Sequence, residues 1–206
     1  MENFVITFAR GFGTGGKAIA SQLAKELGIH CYENRILTLA SQLSGLDENI
    51  FQEVNEKMRE TSGFSSFLRG LPRSRRYISR NEKFVSDDKL FEYQSEIIKD
   101  LAEKGSCVIV GRCADYILRE RKDVLNIFIY ADMESKMERA VTYFGLEKEN
   151  VSAILKKKDK ARSNHYKYYT DQEWGMASNY DLSLNSGILG IDGCVEMIEK
   201  ALTIAK

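Results

Sequence analysis

The chain has 206 residues, 43% hydrophobic and 29% charged, which suffices for one α/β domain with a sizeable core. Thirty basic residues balance thirty acidic ones. This argues against a general nucleic-acid binder, because phosphate-backbone binding needs a surplus of Lys and Arg; a small anionic ligand needs only a local cluster. No apolar run approaches the ~20 residues of a membrane span, Met1-Glu2-Asn3 lacks the start of a secretory signal, and Cys31, Cys107, Cys113 and Cys194 form no Cys-x-x-Cys pair. Free thiols in a cytoplasmic protein are therefore expected.

In chain order, Phe4 to Ala9 reads as a strand. Lys17 to Leu27 reads as a helix with Ile19, Leu23 and Leu27 on one face, and a weak strand is possible at Ile29 to Tyr32. Leu46 to Ser86 carries helical pieces and then a Gly/Ser/Arg-rich stretch. Leu90 to Glu103 is helical through Ile97, Ile98 and Leu101. Cys107 to Val110 and Val124 to Tyr130 are near-continuous apolar runs, as in strands buried on both faces of a parallel sheet. Met133 to Phe144 is a helix, Asn150 to Ala177 is polar and charged, Tyr180 to Leu184 is a weaker strand, and Asp192 to Ala205 closes the chain as a helix. Strands alternating with helices predict a right-handed doubly wound sheet. The two segments that break the alternation are where mobile, substrate-covering parts would sit.

After the first strand comes Gly11-Phe12-Gly13-Thr14-Gly15-Gly16-Lys17-Ala18. As G-x-x-x-x-G-K it is a phosphate loop; as G-x-G-x-x-G it is a dinucleotide fingerprint, with Glu33 about where a ribose-binding acid would stand. A plain Gly-rich turn is the bland alternative. In either ligand-binding reading, glycines let the backbone approach closely and its N–H groups hold anionic oxygens. Three features favour the phosphate loop. Lys17 directly follows the last glycine, the second strand is too feeble for a dinucleotide fold, and the length leaves little room for a separate substrate domain. Ala18 departs from the motif, which wants Ser or Thr for magnesium, so Mg²⁺ would be held mostly by phosphates and water.

Taken with Val108-Ile109-Val110-Gly111-Arg112-Cys113-Ala114-Asp115-Tyr116, Asn126 to Ala131, Lys158 to Tyr166 and Tyr180 to Asn185, the loop resembles the cytidylate-kinase-like family of P-loop proteins over nearly the whole length. The resemblance implies a three-layer P-loop kinase fold with a five-stranded parallel sheet. It also implies a helical acceptor-binding insertion at about 46–86 and a lid at about 150–177, within one domain spanning 1–206. Two positions depart from cytidylate kinases proper. Gly111 and Arg112 match their Gly-Arg-Asp but Cys113 replaces the acid, and Tyr32-Glu33-Asn34-Arg35 replaces their Asp-Ser-Gly or Asp-Thr-Gly.

The expected activity is phosphoryl transfer from ATP, with Mg²⁺, to a nucleoside monophosphate, CMP or dCMP first. Another small acceptor, or nucleotide binding without turnover, is the alternative. The loop from Gly11 to Ala18 would bind ATP, with Lys17, Arg112 and Arg162 as catalytic cations. Glu33, Arg35, Arg112 and Asp115 would meet the acceptor. Each has a plainer reading: an ion pair for Arg112, a first-turn carboxylate for Asp115, a solvated helix face for Arg162 and its neighbouring lysines. Arg69, Arg73, Arg75, Arg76 and Arg80 form a second basic cluster that either binds phosphate or lies in an exposed loop. His30 and His165 lack metal-ligand spacing and are expected at the surface. Tyr166, Tyr168, Tyr169 and Trp174 are expected to pack between helices rather than flank a base.

Overall fold

The computed structural model describes residues 3–44, 76–77 and 85–204. Their elements are β1 (Val5–Arg10), α1 (Gly16–Glu26), β2 (His30–Tyr32), α2 (Arg35–Ser44), β3 (Arg76–Tyr77), β4 (Val85–Ser86), α3 (Asp87–Lys104), β5 (Cys107–Val110), α4 (Ala114–Ile117), β6 (Val124–Tyr130), α5 (Met133–Phe144), α6 (Lys148–Thr170), β7 (Leu182–Asn185) and α7 (Ser186–Ile204). Five strands form one parallel sheet in the order β2-β5-β1-β6-β7. This is the P-loop kinase architecture that the resemblance implies.

The apolar runs explain the layers. In β1 and β5, successive side chains point to opposite faces, and both faces are covered. Val5, Cys107 and Ile109 pack with Ile36, Leu90 and Ile98 of α2 and α3. On the other face Ile6, Phe8, Val108 and Ile127 pack with Ile19 and Leu23 of α1 and Val195 and Ile198 of α7. Thr7 is the polar residue in the middle of β1. It is buried without an orphan group because its hydroxyl donates to Asn126 Oδ1 at 2.7 Å.

Several elements differ from the expected ones. β7 begins at Leu182 rather than Tyr180, whose ring is instead buried 5.0 Å from Phe128. The last helix starts at Ser186, six residues early, and is kinked at Gly190. α2 has no counterpart in the sequence reading; its buried face is short, Ile36, Leu37 and Ala40. Of the 46–86 insertion, the described part is a two-residue antiparallel ladder between β3 and β4. Its expected helical pieces, with Arg69, Arg73, Arg75 and Arg80, lie outside the described residues, and of Arg76 only its place in β3 is described.

The polar 150–177 segment is mostly one helix of 23 residues, α6. Val151 and Leu155 anchor it on Ala140 of α5, and Tyr166 and Thr170 are buried further along. Asp159 and Arg162 share that stripe at i+4 and i+3 spacing, so the inward face becomes polar where it crosses the glycine loop. Among the described residues, no helix is long and apolar enough to cross a membrane.

Candidate functional site

The glycine loop turns from the carboxyl end of β1 into the first turn of α1. Gly13 and Gly15 have φ of +80° and +75°. A Cβ on Gly13 would lie 2.7 Å from the backbone oxygen of Lys136, so α5 is built against a residue with no side chain. Thr14 is buried; its hydroxyl donates to Gly11 O at 2.9 Å and accepts weakly from Gly16 N–H at 3.4 Å. Gly15 caps α1 without a side-chain hydrogen bond, and the first turn holds no acidic residue. Such a helix start suits an anion.

Three elements brace the loop from outside. Asp159 of α6 accepts from Phe12 N–H at 2.6 Å and from Lys136 Nζ. Arg139 of α5 donates to Ser186 O at 2.6 Å, and the Ser186 hydroxyl donates to Thr14 O at 2.6 Å. Phe12 stacks on Phe144 at 5.0 Å with Lys158 Nζ 4.8 Å from its ring. A loop held on all sides keeps its N–H groups aimed, which is what anion binding requires. We predict that Gly13→Ala breaks this arrangement. The added methyl meets backbone, and a non-glycine residue at this φ costs about 1–2 kcal/mol. Thermal melts should show a loss of that order, and ATP titration should show most nucleotide affinity gone. A Gly13→Ala protein that binds ATP like the wild type would contradict the loop assignment.

Beside the loop, at the carboxyl ends of β1, β2 and β5, lies a cavity of about 220 Å³. Open α/β sheets bind ligands at this edge. Arg10, Arg112, Lys158 and Arg162 bring four cations to its wall, and Glu33 and Asp115 bring two carboxylates. Lys17 Nζ bonds Glu33 Oε2 at 2.7 Å, and Arg10 Nη2 bonds Glu33 Oε1 at 3.0 Å. Burial would raise the Glu33 carboxyl, but the Lys17 hydrogen bond and the charges of Arg10 and Lys17 outweigh it and hold the pKa below the usual range. Arg162 reaches over the loop and donates to Arg10 O at 2.7 Å.

The structure separates the remaining candidates. Asp115 is buried in the first turn of α4 and accepts from the Tyr166 hydroxyl at 2.7 Å. Burial raises its pKa, partly opposed by that hydrogen bond. Arg35 stands exposed at the start of α2 and does not line the cavity, whereas its neighbour Asn34 does. His30 is exposed as expected. His165 departs from its expected surface place: it lines the cavity with its Nδ1 3.6 Å from Cys113 Sγ. Tyr169 stacks on Phe91 at 3.8 Å and is a packing residue. Trp174 packs edge-on against Phe128 yet also lines the cavity.

Gly111, Arg112 and Cys113 follow β5 with φ of +79°, +62° and +56°. Two consecutive non-glycine residues in the left-handed region carry strain, a cost that concentrates at functional sites. The geometry sets the Arg112 side chain on the cavity and tucks the Arg10 guanidinium against the bare Cα of Gly111. The Cys113 thiol is buried, and burial together with the nearby Asp115 charge pushes its pKa up, so it remains a neutral wall at neutral pH. Arg10, Asn34 and Trp174 were absent from the expected site. Arg10 was recoverable, since it ends β1 at the ligand-binding edge; Trp174 reaches the cavity only through tertiary packing.

A parallel sheet with a braced glycine loop, a following lysine and a cationic cavity at the same edge defines a P-loop kinase fold. The chain belongs to the cytidylate kinase-like family, whose model matches residues 5–188. The fold is shared with an uncharacterized protein from Eubacterium ventriosum ATCC 27560 at 24% identity and a TM-score of 0.68, covering 97% of this chain and 98% of that one. It is also shared with shikimate kinase from Bacteroides thetaiotaomicron, at 12% identity and a TM-score of 0.55, covering 97% and 98%. Shikimate kinase from Acinetobacter baumannii in complex with shikimate matches at 12% identity and a TM-score of 0.54, covering 100% and 96%. No curated protein matches the chain by sequence.

Proposed function

We propose that the protein transfers the γ-phosphoryl group of ATP to a small acceptor seated in the cavity, with CMP or dCMP as the first acceptor to test. The observation that carries this reading is the adjacency of two anion sites. Lys17, the loop cation, and Arg10 both bond Glu33, and Arg10, Arg112 and Arg162 line the cavity that Glu33 also lines, at one sheet edge. Membership of the cytidylate kinase-like family supports phosphoryl transfer, and supports a nucleoside monophosphate as the acceptor.

The residues present fit ATP and Mg²⁺. The left-handed glycines and the uncapped α1 start receive phosphate oxygens, and Lys17 reaches them from the first turn. Ala18 offers no side-chain oxygen, which fits a metal held largely by phosphates and water. Mg²⁺ would supply charge neutralisation at the phosphates during transfer. Arg112 would grip the acceptor's phosphate through its planar guanidinium, and Arg162 would meet charge on the transferred group. An acceptor phosphate oxygen attacks phosphorus as the bond to the β-phosphate oxygen breaks and ADP leaves. That oxygen is already anionic, so no general base is required and alignment dominates.

The segment around 150–177 acts as the lid in this reading. Its base is anchored by Val151 and Leu155, so closure would involve the half that carries Asp159, Arg162 and His165. Amide exchange in that half should slow when a bisubstrate analogue is bound, while β1 stays protected throughout. Equal exchange with and without the analogue would make α6 a fixed wall. The function itself is tested by coupled ADP release across CMP, dCMP, UMP, AMP, GMP, shikimate and gluconate. Release with one nucleoside monophosphate supports the reading, release with another metabolite alone moves the acceptor, and none at all favours a nucleotide-binding regulator.

A further inference from the structure

Three of the described carboxylates around the loop and cavity are committed to the protein itself. Asp159 is held by Phe12 N–H and Lys136. Asp115 is held by Tyr166, and Asp132 caps α5 by accepting from Ser135 N–H at 2.8 Å and its hydroxyl at 2.7 Å. Glu33 differs in its partner. It lines the cavity, and one of its two carboxylate oxygens accepts from Lys17, the exposed lysine of the glycine loop, while the other accepts from Arg10.

Lys17 is the more exposed of the two. Its side chain is 67% exposed on a flexible four-carbon stem, against 18% for Arg10. When Lys17 turns to a triphosphate, Glu33 loses one of its two cations. A carboxylate then faces phosphate oxygens across the width of one lysine ammonium. Two like charges so placed repel unless another cation enters between them. Ala18, next to Lys17, lacks the hydroxyl that the loop motif supplies to Mg²⁺. Glu33 thus has an oxygen to offer at the place where the chain is short of one.

We infer that Glu33 exchanges Lys17 for Mg²⁺ as nucleotide binds, its carboxylate supplying the protein ligand that Ala18 cannot. The inference rests on the phosphoryl-transfer reading and gives Glu33 a metal-binding role in place of an acceptor-binding one. One carboxylate is enough, because Mg²⁺ keeps several waters and takes one or two carboxylates beside substrate phosphates. Arg10 keeps its bond to the other oxygen and fixes the direction of the carboxylate, as partners of metal ligands do. The metal then lies between the loop and the cavity, where donor and acceptor phosphates would meet.

ATP binding is read by isothermal titration calorimetry, with no acceptor present and so without turnover. ATP is titrated in excess Mg²⁺ and in EDTA. In the wild type Mg²⁺ should tighten ATP binding by roughly tenfold to a hundredfold, the range seen when a metal's supporting groups are removed. Glu33→Gln should bind metal-free ATP at least as tightly as the wild type, since a charge opposing the phosphates is gone, and should lose the Mg²⁺ effect. Glu33→Gln with Ala18→Ser should regain part of it, which also shows that the variant is folded. Glu33→Gln that keeps the full Mg²⁺ effect overturns the inference and leaves phosphoryl transfer standing. Wild-type protein that binds no ATP, with or without metal, overturns both.

Discussion

Lys17→Ala protein should fold normally and transfer phosphoryl groups roughly 10²–10³-fold more slowly than the wild type, the loss associated with removing one aimed electrostatic donor. The two halves of this expectation have separate causes. The Lys17 side chain is mostly exposed, and it forms an ion pair with Glu33. Pairs so exposed contribute about 0.2–1 kcal/mol. In a chain of 206 residues that moves Tm by no more than about 4 °C. The rate loss corresponds to about 3–4 kcal/mol of transition-state stabilisation, several times larger, so melting and turnover measured on one preparation separate the roles. A variant with near wild-type turnover would show that the glycine loop does not act on phosphate.

Arg112→Ala should cut kcat/KM for the acceptor by about two orders of magnitude while changing ATP affinity less than about threefold. Hydrogen bonds to a charged group contribute about 1.5–3 kcal/mol each, and a guanidinium makes two to one phosphate. The strained backbone at φ +62° is kept by either residue, so the fold should survive. Arg112→Lys should recover little, because an ammonium retains the charge and loses the planar fork. Acceptor kinetics and ATP binding are measured separately. Equal loss in both would make Arg112 a structural residue.

Much of the scaffold was legible because local pattern and tertiary role coincide. β5 is four apolar residues buried on both faces, and α1 places Ile19 and Leu23 a turn apart. The glycine loop carries its geometry in its own residues. The cavity wall was harder to read because it is assembled across the chain. Glu33 lies after an edge strand of three residues, and Arg112 depends on a left-handed turn that residue type does not announce. α6 was obscured by its own polar stripe. Lys158, Asp159, Arg162 and His165 fall on the same face as Val151, Leu155 and Tyr166, so the polar groups that serve the loop and cavity break the apolar period that would have marked the helix. The strand order, which brings Arg10, Glu33 and Arg112 to one edge, follows from pairings over long sequence separations.

Transfer of label from γ-³²P-ATP tests the central claim most directly. Wild-type protein is incubated with labelled ATP, Mg²⁺ and each nucleoside monophosphate, and the products are separated by thin-layer chromatography beside a Lys17→Ala control. The predicted result is label in the diphosphate of one acceptor, CMP or dCMP first, and almost none with Lys17→Ala. Label released only as inorganic phosphate, or equal transfer by Lys17→Ala, would contradict a nucleoside monophosphate kinase working through this loop.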